Sequence, residues 1–113
     1  MPEFLYVYRG AQRPTSAEAT QQALQKWTAW FRTLTESGNL KDRGQPLEMT
    51  GKVVKGKQPV MTDGPYAESK DLVCGYTVVT AKDLTQAAEL SSSCPILEFG
   101  GLVEVRPIMK INP

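Results

Sequence analysis

The sequence predicts an α+β domain in which two helices cover one face of an antiparallel sheet. Three observations carry this. Apolar or alternating runs read as strands at Glu3 to Arg9, Val73 to Thr80 and Leu102 to Met109. Two capping-box patterns, Thr15-Ser16-Ala17-Glu18 and Asp83-Leu84-Thr85-Gln86, each open a segment with apolar residues at helical spacing. Between the two halves, a pair of short runs flanks Gly56 as a hairpin. The order is β-α-β, a β-hairpin insertion, then β-α-β. Two such units make a four-stranded ferredoxin-like sheet with both helices on one side.

Each element has its own signal. In the first strand Phe4, Tyr6 and Tyr8 alternate with Leu5, Val7 and Arg9, and both sets are largely apolar, as in a central strand covered on both faces. A polar loop with Pro14 follows. Thr15 pairs with Glu18 in the first capping box, and the helix runs to about Ser37 with a stripe of Ala23, Leu24, Trp27, Trp30, Phe31 and Leu34. This spacing predicts core packing for the aromatic residues. Gly38 is the expected stop. The polar stretch from Asn39 to Glu48, broken by Gly44 and Pro46, must hold a short second strand, expected around Gln45 to Met49. Met49 to Lys55 and Gln58 to Thr62 form the hairpin, with a turn near Lys55-Gly56-Lys57. Gly75 inside the next strand predicts a bulge or a close backbone approach. The second helix carries Leu84, Ala87, Ala88 and Ser91 on one face, and Pro95 is expected to end it.

Composition sets further bounds. At 113 residues the chain fits one domain, residues 1–113, with a modest core. A net charge of +1 supplies no field for nucleic acid, and no apolar run approaches a membrane span. The strand pattern begins directly after Met1-Pro2 with no leader-like apolar segment, so a cytoplasmic location is expected. The chain has no histidine, which removes Ser-His and Cys-His nucleophilic chemistry and the commonest transition-metal ligand. Cys74 and Cys94 have no metal-type spacing and read as reduced, partly buried thiols. No metal and no cofactor are expected.

The segment Thr62-Asp63-Gly64-Pro65-Tyr66-Ala67-Glu68 is the leading candidate site. Pro65 fixes its own φ and restricts Gly64, which can also take φ > 0. Asp63 cannot close the usual local turn, because Pro65 has no N–H. It must find Tyr66, a more distant group, water or a ligand. Asp63 and Glu68 could act as acid and base, or as acceptors for a polar ligand. The plainer alternative is that Asp63 orders the turn and Glu68 is solvated. Arg9 and Arg106 could bind a carboxylate or phosphate, or pair with Asp63 or Glu68, or form surface ion pairs. The usual strand order sets them toward opposite edges of the sheet. Tyr66 and Tyr76 are further ligand-binding candidates, although the Tyr66 ring reads first as a packing anchor. Lys52, Lys55 and Lys57 make the hairpin basic, as solvated edges often are.

Asp63-Gly64-Pro65-Tyr66 resembles the Asp-Gly-Pro-Phe signature of the YCII-related (DGPF) domain family, with Tyr66 in place of the usual Phe. The first strand, the hairpin runs, Gly75-Tyr76 and Val103 to Pro107 extend the resemblance over nearly the whole chain. The resemblance implies a ferredoxin-like fold and a homodimer in which two sheets pack face to face as a dimeric α+β barrel. Its His-Asp chemistry does not carry over to a chain without histidine.

Two functions follow as expectations. One is a cleft beside the Asp63–Glu68 loop that binds a small polar molecule, with acid–base catalysis by carboxylates as an extension. The other is a non-enzymatic accessory module, since the family resemblance implies a link to sigma-factor signalling. The architecture itself favours a homodimer through the uncovered sheet face, because burying apolar area contributes roughly 25 cal/mol per Å².

Overall fold

The first strand, β1 (Glu3–Arg9), is central. Its buried residues, Phe4, Tyr6 and Tyr8, alternate with half-buried Leu5, Val7 and Arg9, as the two apolar sets predict. The structure, a computed structural model, describes residues 1–112. β5 (Val73–Thr80) and β6 (Leu102–Pro107) flank β1, both antiparallel, and β2 (Leu40–Asp42) pairs outside β5. The order β2-β5-β1-β6 is the ferredoxin-like arrangement. β3 (Gly51–Lys55) and β4 (Val60–Gly64) form the inserted hairpin, a separate two-stranded sheet.

The helices α1 (Ala17–Glu36) and α2 (Leu84–Ser91) pack on the Phe4-Tyr6-Tyr8 face. Tyr6 stacks on Trp30 with ring centroids 6.0 Å apart and donates its hydroxyl to the Ala87 carbonyl at 2.5 Å. One side chain thus ties the sheet to both helices. Leu34, Val79, Ala81, Cys94 and Ile96 complete the core. Burial raises the Tyr6 and Tyr8 phenols above their ordinary range and pushes the Cys94 thiol up to about 12. Both cysteines are free thiols, Cys94 buried and Cys74 half-buried.

Several boundaries differ from the sequence expectation. Ser16, not Thr15, caps α1: its Oγ accepts the Ala19 N–H at 3.0 Å. Glu18 then lies in the first turn, where a carboxylate complements the helix dipole. At α2 the reciprocal pattern forms, with Asp83 accepting the Gln86 N–H at 2.8 Å and Gln86 accepting the Lys82 N–H at 2.7 Å. The helix ends at Ser91, before Pro95, which instead opens a 3₁₀ turn, Pro95–Phe99. The second strand is Leu40–Asp42 rather than Gln45 to Met49. The chain turns away at Gly44, with φ of 72°, and Pro46 retains only a single bridge to Gly75. Proline has no ladder N–H to extend it. β6 stops at Pro107, two residues short of Met109, for the same reason.

Gly75 meets its expectation. A Cβ there would lie 3.2 Å from the Gln45 carbonyl oxygen, and the β1–β5 register shifts just beyond Tyr8. The opposite sheet face carries Leu5 opposite Val78 and Val7 opposite Tyr76, and it is not covered by a helix.

Candidate functional site

Asp63 is the penultimate residue of β4 and lies opposite Lys52 on β3. The Lys52 ammonium donates to its carboxylate at 2.7 Å, so of the alternatives open to Asp63 a more distant group is its partner. The Asp63 side chain is 88% exposed, so this pair is held in water and is worth little. Gly64 does not use φ > 0; a Cβ there would press on Val53 and on the Gly51 backbone. Glycine at this position eases the close approach between the strands. Tyr66 is 84% exposed and Glu68 is also exposed. Asp63, Tyr66 and Glu68 are all exposed and are not gathered into a closed pocket.

The loop after the motif is tied to the sheet by Arg9. Its Nη1 donates to the Asp71 carbonyl at 2.9 Å, and its Nε donates to Glu104 at 3.0 Å. Gly10 donates to the Leu72 carbonyl and packs on the Lys70 carbonyl, where no Cβ would fit. Arg106 reaches the other oxygen of Glu104 at 3.6 Å. The two arginines sit four residues apart in register, yet on the same face of adjacent strands, so one carboxylate engages both. Neither pairs with Asp63 or Glu68.

A concavity lies elsewhere, between α1 and the Gly75 end of β5, with a volume of about 560 Å³. Tyr8, Trp27 and Phe31 supply its aromatic wall, and Arg13, Arg43 and Tyr76 border it. The wall is fixed by packing: Trp27 meets Tyr8 edge-on at 5.1 Å, Trp30 at 5.8 Å and Phe31 at 5.7 Å. Tyr8 donates to Thr77 Oγ1 at 2.7 Å, and Thr77 donates to the Arg43 carbonyl at 2.9 Å. This buried relay holds the 43–47 segment against the sheet. The Leu47 N–H adds a bond to the Cys74 carbonyl, and the Arg13 guanidinium donates to the Leu47 carbonyl from across the cleft. Gly44 allows the segment to press on Tyr76, since a Cβ would stand 1.8 Å from the Tyr76 oxygen.

The sequence model of the YCII-related domain matches residues 4–112, so the match takes in the sheet, the hairpin and the cleft together. The chain belongs to the YCII-related domain family. None of the curated proteins matches it by sequence. Within this YCII-related domain, Tyr76 is the sequence candidate that borders the cleft, whereas Arg9 and Arg106 serve the open sheet face and the motif loop.

The cleft can hold a flat apolar body on its aromatic wall and an acceptor group at its guanidiniums. Sequence reasoning missed Arg13 and Arg43, which sit in polar loops beside Pro14 and Gly44 with no periodicity to mark them. Trp27 and Phe31 were legible as a stripe and read as core. Both do pack against the core, but their partial burial also lets them line the cleft. No group of three or more acidic or cysteine side chains that would hold a metal ion occurs among the described residues.

Proposed function

We propose that this YCII-related domain binds a small molecule in the cleft between α1 and the Gly75–Thr77 end of β5. The single observation that supports this is an aromatic-walled concavity bordered by two arginines outside any described salt bridge. Its size is in the range typical of small-molecule sites. Acid–base chemistry by Asp63 and Glu68 is an extension of this reading, and it requires a second surface to cover two carboxylates that the protomer leaves in solvent.

The homodimer supplies such a surface in this proposal. Leu5, Val7 and Val78 form the centre of the open sheet face, with Leu102 at 47% exposure beside them. Met61, Tyr66, Met109 and Ile111 are more than 70% exposed. Covering this apolar area favours a face-to-face pair of sheets. Light scattering should then give twice the 12.5 kDa chain mass, and Leu5→Glu should return the single-chain mass.

The binding reading is tested by a thermal-shift screen against a metabolite panel. A ligand at about 100 times its dissociation constant adds roughly 2.7 kcal/mol, on the order of 10 °C for a domain of this size. Thr20→Trp, which narrows the cleft from the surface of α1, should abolish the shift. A hit that survives Thr20→Trp but disappears in Asp63→Asn or Glu68→Gln would move the site to the motif.

A further inference from the structure

The chemistry of the cleft narrows its ligand, on the reading that the cleft is a small-molecule site. Arg13 and Arg43 both border it, and no aspartate or glutamate is among its described lining residues. The chain as a whole has nearly balanced charge, 13 basic against 12 acidic residues, so this local excess is not a property of the whole surface. Among the described residues, neither arginine is in a salt bridge. Arg43 instead lies over the Phe31 ring, its guanidinium carbon 4.8 Å from the centroid. Arg13 spends one donor on the Leu47 carbonyl. A guanidinium carries five donors, so both cations keep N–H groups for a further acceptor.

The hydroxyls deepest in the cleft are already engaged. The Tyr8 hydroxyl is donated to Thr77, and the Thr77 hydroxyl to the Arg43 carbonyl. The Gly44 N–H is donated to Asp42 Oδ1 at 2.9 Å, so it is not free for an anion. The two planar guanidiniums are the charged groups among the described lining residues, and their geometry matches a carboxylate. The Trp27 ring, fixed by three aromatic neighbours, loses little freedom when a second ring covers it.

We propose that the cleft takes a planar aromatic carboxylate of one or two rings. The ring lies along the Trp27–Phe31 wall and the carboxylate meets Arg13 and Arg43. The volume of about 560 Å³ admits a molecule of that size.

The test uses naphthoate, with naphthamide as its uncharged counterpart and cyclohexanecarboxylate as its non-aromatic one. Binding is followed by titration calorimetry and by the indole N–H signals of Trp27 and Trp30 in NMR spectra. Naphthoate should shift the Trp27 signal and bind at least roughly tenfold more tightly than either comparator, the factor that one lost charge-assisted bond or stacking contact supplies. Arg13→Gln and Arg43→Gln should each weaken naphthoate by about the same factor and leave naphthamide unchanged. Equal affinity for naphthoate and naphthamide would overturn the carboxylate assignment while leaving the cleft as a binding site. Equal affinity for cyclohexanecarboxylate would overturn the aromatic one. If none of the three binds but a panel compound does so in a Thr20→Trp-sensitive way, this inference fails alone. If no compound binds the cleft at all, the small-molecule reading fails with it.

Discussion

Arg9 Nη1 donates to the carbonyl oxygen of Asp71 at 2.9 Å, while its Nε engages Glu104 at 3.0 Å. One side chain on the open face of β1 therefore fastens the loop that follows Asp63–Glu68 to the edge of the sheet. That loop adjoins Gly10, and the residues just after Gly10 border the cleft. Arg9 thus connects the sequence motif to the cleft through the backbone, not through a shared pocket.

Replacing Arg9 by Gln should loosen this loop more than it destabilises the domain. The ion pair is about one third exposed on each side, so its loss and that of the carbonyl bond together should cost about 1–2 kcal/mol. Limited proteolysis should show faster cleavage between residues 65 and 72, with the remaining domain intact. An unchanged cleavage rate would mean that Gly10 alone holds the loop.

Gly44→Ala should be far more damaging. The residue has φ of 72°, and an added Cβ would meet the Tyr76 oxygen at 1.8 Å. Strain at positive φ and forced displacement of β5 together should cost about 2–4 kcal/mol, read as a lower urea midpoint. A loss below about 1 kcal/mol would show that the 43–47 segment can move away from the sheet without consequence.

Asp63→Asn should change stability by less than about 0.5 kcal/mol, because its partner Lys52 and the carboxylate are both largely in solvent. The informative measurement is the comparison of denaturation midpoint with ligand binding. A large stability loss would assign Asp63 to the hairpin's structure, whereas a binding loss at constant stability would assign it to a site.

Stability should fall on the alkaline side. Burial raises Cys94 from 9.0 to about 12 and raises Tyr6 and Tyr8 above their ordinary 10.0. All three are held protonated by the fold. Their contribution is fully present below the unfolded values and is lost as pH rises through the folded ones. The melting temperature should therefore decline between about pH 9 and pH 12, and Tyr8→Phe should make the decline shallower. A pH-independent melting temperature over that window would contradict the burial of these groups.

The element order, the two helices and the central place of β1 are all written in the local pattern of residues. Capping residues, three- and four-residue apolar spacing and strand alternation are local signals, and they act within one or two turns of chain. They also determined that Trp27, Trp30 and Phe31 face inward and that Gly75 admits a close neighbour. The place of the second strand depends on long-range pairing, because Asn39 to Glu48 has no alternation and its partners are Val78 and Val79, far along the chain. Folding likewise brings Glu104 to both Arg9 and Arg106, and Asp63 to Lys52, while the cleft gathers Arg13 and Arg43. Arg13 and Arg43 stand thirty residues apart in loops whose paths are set by contacts with Leu47, Thr77 and Tyr76. No local pattern encodes such a convergence; it exists only once the sheet and α1 have fixed the positions from which those loops depart.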